Sequence, residues 1–155
     1  MKLIRFLLFP FAIIYDFITR IRNIFFDKGI LKSSSFDLPI IAVGNLTVGG
    51  TGKTPQIEYL IRLLKSEYNV AVLSRGYKRK TKGFQLLNKN HSAEDAGDEP
   101  LQFFSKFNDI NVAVDADRTN GIKELLSNVN PEVILLDDAY QHRKVKAGFY
   151  ILLTK

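Results

Sequence analysis

Five runs of four to six residues, 39–44, 70–74, 111–114, 132–136 and 149–153, are rich in Val, Ile, Leu and Ala and predict β-strands. A shorter strand is predicted at 83–87. Between them the apolar positions change period. Residues 54–66 set Ile57, Leu60, Ile61 and Leu64 on one face of a helix, and further helices are predicted over 99–107 and 117–127. Strands separated by helices of this length give an α/β fold, a mostly parallel sheet covered by helices on both faces. The continuous apolar runs at 133–136 and 149–153 are expected to be buried on both sides. In such sheets ligands bind at the carboxyl ends of the strands, here the loops after Val43, Ser74, Val114 and Leu136. The chain carries no internal repeat and no low-complexity tract.

The first 32 residues follow a different pattern. Phe, Ile and Leu dominate, and six Lys/Arg against two Asp give this segment +4 of the chain's formal +6. Its longest uncharged stretch, Phe6 to Tyr15, contains Pro10 and falls short of the roughly 20 apolar residues a spanning helix needs. No small-residue cleavage site follows it, and Asp16, Arg20 and Arg22 stand where a secretory signal would have one. The segment therefore reads as a helix lying in a membrane interface, its aromatic and aliphatic residues in the headgroup boundary and Lys2, Arg5, Arg20 and Arg22 on anionic lipid phosphates. The other reading is a helix packed on the body of the domain. Residues 33–38 form a polar joint, so the chain divides into an interfacial element at 1–32 and a core at 39–155.

Composition narrows the class. With 155 residues, 46% hydrophobic and 25% charged, the chain can bury a core. Having no cysteine, it has neither a disulfide framework nor a thiolate metal site, in keeping with a reducing compartment, and two histidines are too few for a histidine-rich metal centre.

The chemistry is concentrated after the first strand. Residues 47–54, Thr47, Val48, Gly49, Gly50, Thr51, Gly52, Lys53 and Thr54, lie between that strand and a helix, the layout of a phosphate-binding loop. Backbone N–H groups would surround a polyphosphate, Lys53 would reach the β- and γ-phosphates, and Thr54 would offer its hydroxyl to Mg²⁺ at a helix N-terminus. Thr47 stands where the common pattern has glycine. The apolar strand ending in Asp137-Asp138 has the form of a Walker B element, whose acids hold Mg²⁺. Five cations lie between Arg75 and Lys82, and Arg75, nearest the strand end, is the one placed on a phosphate. The remainder of that loop is either a second phosphate contact or a solvated basic face. Nucleic-acid binding is not expected, because the basic residues do not extend along a longer surface. Asp98, in Gly97-Asp98-Glu99-Pro100, reads from spacing as a helix N-cap, with a catalytic base as the alternative.

Taken together, G-N-L-T-V-G-G-T-G-K-T-P at 44–55, S-R-G-Y at 74–77, G-D-E-P at 97–100 and D-D-A-Y-Q-H at 137–142 resemble the tetraacyldisaccharide 4'-kinase family of lipid A biosynthesis. The resemblance implies ATP and Mg²⁺ as cofactors and transfer of the γ-phosphate to the 4'-hydroxyl of a lipid A disaccharide 1-phosphate, giving lipid IVA. It implies a peripheral enzyme, expected to be a monomer, on the cytoplasmic face of the inner membrane of a Gram-negative bacterium. It assigns Gly49 to Thr54 to ATP, Lys53 to the phosphates, and Thr54, Asp137 and Asp138 to Mg²⁺. It makes Asp98 the catalytic base or its partner, with Lys53 and Asp138 beside it, and sets Arg75, Gln141 and His142 toward the substrate. The family usually has glycine and phenylalanine where this chain has Ala139 and Tyr140, and glycine where it has Lys78. Ala139 is expected to tolerate a positive φ less well than that glycine. The family's chains are also longer, with a second lobe and a catalytic histidine, so this sequence reads as an N-terminal half, and neither His91 nor His142 takes that role. Two other readings stay open: a GTPase-type switch, although D-x-x-G does not follow the Walker B strand, and a membrane-bound nucleotide-binding fragment without catalysis.

Overall fold

The computed structural model describes residues 2–46, 52–140 and 142–154, with side chains from residue 9 onward. The chain forms two units, Met1–Ser33 and Ser34–Lys155. In the first, helix α1 (Lys2–Asp27) runs for 26 residues and continues through Pro10. At 1.5 Å per residue it is about 39 Å long. Phe9, Phe11, Ile13, Ile14, Tyr15, Phe17 and Ile18 on it are all more than half exposed. Arg20 Nε pairs with Asp16 at 2.7 Å one turn away. Among the described residues no helix is long and apolar enough to cross a membrane.

The second unit is built on a six-stranded sheet. In chain order its elements are β1 (Ile40–Asn45), α2 (Lys53–Leu64), β2 (Val70–Ser74), β3 (Gln85–Leu86), α3 (Ala93–Ala96), α4 (Asp98–Lys106), β4 (Asn111–Val114), α5 (Arg118–Asn128), β5 (Val133–Asp137) and β6 (Phe149–Leu153). The strand order is β3-β4-β2-β5-β1-β6. All pairs are parallel except β3 with β4, which is antiparallel. The five longer strands and three longer helices thus follow the apolar pattern to within a residue or two. The short strand reduces to Gln85–Leu86, and a one-turn helix, α3, stands where only a polar loop was expected, closed by a capping box between Ser92 and Asp95.

Alternation along the strands divides the core into two layers. Val43, Val70, Val72, Val112 and Leu135 meet Ile57, Leu60 and Ile61 of α2 and Phe103 of α4. Ile40, Ala42, Ala71, Leu73, Ile134 and Leu136 meet Ile122 and Leu125 of α5. Helices therefore cover both faces, and β2 and β5 are buried along their whole length. The expectation for 149–153 fails. β6 bonds to β1 on one side only, at the margin of the sheet, and Phe149, Tyr150 and Leu152 stay exposed. An apolar run marks strand character but not position in the sheet, because edge and central strands favour the same side chains.

Candidate active site

Strand order brings the chemical motifs to one end of the sheet. β5 lies directly beside β1, with Val43 opposite Asp137, so the acids ending β5 emerge next to the loop that follows β1. Of that loop, Thr47, Val48, Gly49, Gly50 and Thr51 lie outside the described residues, as does Gln141. Gly52, at φ 84°, turns the chain into α2 and, having no side chain, caps none of its first N–H groups. A helix start of this kind leaves donors and the positive end of the helix dipole facing outward. Lys53 and Thr54 open that helix. Lys53 Nζ pairs with Asp138 Oδ1 at 2.5 Å, and Thr54 Oγ1 donates a long bond of 3.4 Å to Glu99 Oε1.

The two acids of β5 differ in environment. Asp137 is 4% exposed, and its Oδ2 accepts from Ser74 Oγ at 2.7 Å, across from the end of β2. Burial pushes its carboxyl above the ordinary range, partly opposed by the Ser74 bond. Asp138 is exposed and takes the left-handed conformation, φ 52°. It is therefore Asp138, not Ala139, that occupies the positive-φ position. Aspartate visits this region more readily than most residues. Ala139 is buried and its N–H bonds to Val43 O at 3.1 Å. This turn closes on Gly44, where a Cβ would stand 2.4 Å from Tyr140 Cβ and 2.9 Å from its nitrogen.

Two glycines bring S-R-G-Y and G-D-E-P together. Gly76 and Gly97 have φ of 71° and 92°, and a Cβ on Gly97 would lie 3.0 Å from Tyr77 O. The contact seats the N-terminus of α4 beside the end of β2. The N-cap of α4 is Gly97, which corrects the reading of Asp98 as cap. Asp98 is the first helical residue and is exposed. Its neighbour Glu99 is the residue that reaches the cluster: partial burial, followed by the charge of Asp137, raises its carboxyl, while Lys53 opposes the rise. The sequence reading passed over Glu99. Helical geometry offered a signal, because adjacent residues of a first turn point about 100° apart, so only one of Asp98 and Glu99 can face Thr54.

Arg75 follows Ser74 directly and is exposed at the strand end. The rest of the basic loop is partly committed to its own fold. Arg79 Nη2 donates to Gly83 O at 2.5 Å, burial lowering its pKa, and Lys80 pairs with Glu94 at 2.7 Å. The ammonium of Lys78 stands 5.4 Å from the centre of the Tyr77 ring. His142, half-buried, donates its N–H to Ala139 O at 2.9 Å, and its ring Nε2 is buried with no partner among the described residues. Burial, then the positive charge of Arg118, lowers the pKa of its ring.

Arg118 was also missed. It opens α5, is 2% exposed, and donates from Nη1 to Asp115 O at 2.5 Å and from Nη2 to Asp137 O at 2.9 Å. Burial brings it down to about 10. The sequence Asp115-Ala116-Asp117-Arg118 follows β4 at the ligand-binding end of the sheet, which was the available clue. Asp117 caps α5 by accepting from Thr119 N and Asn120 N, and Arg118 follows as the first helical residue.

A lysine, a threonine hydroxyl and three carboxylates thus meet at a helix N-terminus whose cap residue is glycine. Hard oxygen donors beside a cation suit a polyphosphate with Mg²⁺. Among the described residues no three acidic or histidine side chains gather tightly enough to hold a metal by themselves. Mg²⁺ characteristically uses one or two carboxylates and completes its shell with phosphate oxygens and water.

Residues 4–155 match the family model described as Tetraacyldisaccharide-1-P 4'-kinase. The chain belongs to that family. Among curated members, the tetraacyldisaccharide 4'-kinase of Flavobacterium johnsoniae is 74% identical over 99% of this chain and 46% of its own length. That of Parabacteroides distasonis is 58% identical over 96% of this chain and 41% of its own. LpxK from Aquifex aeolicus, whose crystal structure is described as an "apo" form in complex with ATP, superposes with a TM-score of 0.88 at 42% identity, covering 96% of this chain and 48% of that one. The chain thus spans less than half the length of these tetraacyldisaccharide 4'-kinases.

Proposed function

We propose that this chain is the nucleotide-binding portion of an ATP-dependent kinase that phosphorylates the 4'-hydroxyl of a tetraacyldisaccharide 1-phosphate, yielding lipid IVA. One observation carries the reading: Lys53 and Thr54 at the start of α2 face Asp137, Asp138 and Glu99 across the ends of β1 and β5, within a chain that belongs to this kinase family. Residues 47–54 hold the ATP phosphates, with Lys53 on the β- and γ-oxygens. Thr54, Asp137 and Asp138 hold Mg²⁺, and Glu99 belongs to the same oxygen set. Bound there, Mg²⁺ neutralises charge developing on the transferred phosphoryl group. Asp98 accepts the proton of the attacking hydroxyl as its oxygen bonds to the γ-phosphorus and the bond from that phosphorus to the β,γ-bridging oxygen breaks, releasing ADP. Exposed beside Glu99, it is free to meet an incoming acceptor. Arg75, Gln141 and His142 face the substrate, Arg75 pairing with a phosphate.

Helix α1 is the membrane element of this reading. Its exposed Phe9, Phe11, Ile13, Ile14, Phe17 and Ile18 enter the headgroup boundary of the inner membrane's cytoplasmic face, and Arg20 and Arg22 meet anionic lipid. The protein acts as a monomer on that surface. The test is transfer of labelled γ-phosphate from ATP to the disaccharide 1-phosphate in detergent micelles. Label is expected in the lipid and absent with Lys53→Ala or Asp98→Ala. Mg²⁺-dependent ATP binding that needs Lys53, without transfer, identifies a nucleotide-binding part whose chemistry requires residues outside this chain. Neither transfer nor binding refutes the assignment.

A further inference from the structure

We infer that Arg118 is a positioning residue for the metal side of the nucleotide site, acting through the backbone carbonyls of Asp115 and Asp137. The inference rests on the nucleotide-site reading above and adds a residue to it. The two carbonyls belong to strand ends that do not touch. β2 lies between β4 and β5, and the parallel ladders stop at Ser74 opposite Val114 on one side and at Leu73 opposite Leu136 on the other. Arg118 bridges the gap where the ladders run out, with Nη1 on Asp115 O and Nη2 on Asp137 O. A planar guanidinium fixes both acceptors in one geometry, which a flexible ammonium does not.

What it fixes matters for the acids. The Asp137 carbonyl belongs to the peptide joining Asp137 to Asp138, and Asp138 then turns left-handed, a conformation that persists when surrounding contacts hold it. Ser74 holds the Asp137 carboxylate from β2, Arg118 holds the Asp137 carbonyl from α5, and the Ala139 N–H is held by Val43 of β1. Three different elements thus aim two consecutive acids. The environment of Arg118 is an expensive one for a purely structural staple. The side chain is 2% exposed, its bonds go to uncharged carbonyls, and its Nε has no partner among the described residues. Well-packed hydrophobic residues commonly replace buried charges at no loss of stability. An apolar side chain could therefore fill the volume, but it could neither orient the Asp137 carbonyl nor set a positive charge behind the two acids.

The test is calorimetric titration of ATP into this chain, with Mg²⁺ and again with EDTA, for wild type, Arg118→Met and Arg118→Lys, with thermal unfolding as the check on folding. Wild type is expected to gain affinity on adding Mg²⁺. Arg118→Met should lose about tenfold or more of that gain, the scale of a charge-assisted bond, with metal-free affinity within about twofold of wild type. Arg118→Lys, which keeps the charge but not the fork, should fall between them. If Arg118→Met does not fold, the lysine variant decides, and a Mg²⁺ gain equal to wild type overturns the inference. So does an unchanged gain in folded Arg118→Met, or an equal loss with and without Mg²⁺, which marks a structural role alone. A wild-type chain that binds no ATP refutes the nucleotide-site reading itself, and this inference with it.

Discussion

Replacing Gly44 by alanine puts one methyl group where the backbone of Tyr140 already stands. The new Cβ would lie 2.4 Å from Tyr140 Cβ, 2.9 Å from its nitrogen and 3.2 Å from its Cα. Gly44 is not among the positive-φ glycines, so the cost is steric and not conformational. Two of these three atoms are backbone and cannot rotate away. Restoring an ordinary contact of 3.4 Å or more requires the turn after β5 to retreat by about 1 Å. Overpacking of this kind costs about 1–3 kcal/mol, and each kcal/mol lowers the melting temperature of a domain this size by about 2–4 °C. The displaced turn carries Asp138 and follows Asp137 directly, and a site tolerates errors of only about 0.5 Å. Gly44→Ala should therefore lower both the melting temperature and the affinity for Mg²⁺-ATP. Gly148→Ala is the control, its new Cβ meeting Ile40 O at an ordinary 3.8 Å, and should stay within about 0.5 kcal/mol of wild type. A Gly44→Ala protein that melts like wild type and binds Mg²⁺-ATP equally well would refute the argument.

Lys53→Met should remove most nucleotide affinity while leaving the fold intact, as read by ATP titration beside circular dichroism, because its partner Asp138 is exposed and tolerates the loss. Glu58, 6% exposed on α2, accepts bonds from Gln102 and Lys106 of α4 and from Arg62. The Lys106 bond leads in holding its pKa below the ordinary 4.5. Its stabilising contribution is therefore fully present above that value and is lost as pH falls below it. In urea unfolding, Glu58→Gln should cost about 1–2 kcal/mol at pH 7, and the gap to wild type should narrow towards pH 4. Glu99→Gln should weaken Mg²⁺-dependent ATP binding, whereas Asp98→Asn should leave binding unchanged and slow label transfer about 10²–10⁴-fold. Equal effects of the two variants on binding would sink the division of roles.

Strand and helix positions were legible because each apolar run had a period of its own, and the phosphate-loop and Walker B patterns marked Lys53 and Asp138, which the fold brings into contact. Three things were not legible. The exposure of β6 depends on what pairs with its far side, which no local pattern encodes. The choice between Asp98 and Glu99 depends on the rotation of α4, whose start at Gly97 packs on Gly76 and Tyr77 of a separate loop. Arg118 reads locally as an ordinary charge in the first turn of a surface helix, and the two carbonyls that hold it, of Asp115 and Asp137, converge only in the folded sheet.

The charges at the site argue for an order of events. Among the described residues, Asp137, Asp138 and Glu99 bring three carboxylates near the Lys53 ammonium, with Arg118 behind them. Burial, and after it the neighbouring acids, raises both Glu99 and Asp137. Lys53 is engaged with Asp138, yet the phosphate-loop role requires it on the nucleotide. A bare polyphosphate would have to draw Lys53 away and leave Asp138 facing more negative charge. With a divalent cation present, Asp138 would have a second positive partner, and Lys53 would be released to the phosphates. Removing Mg²⁺ with EDTA should therefore weaken ATP binding by well over the factor lost for ADP, which presents fewer phosphate oxygens to the same acids. The check is parallel titration of both nucleotides with and without Mg²⁺. Metal-free ATP binding as tight as Mg²⁺-ATP would show that the lysine leaves Asp138 without help, and the coupling argued from these charges would fall.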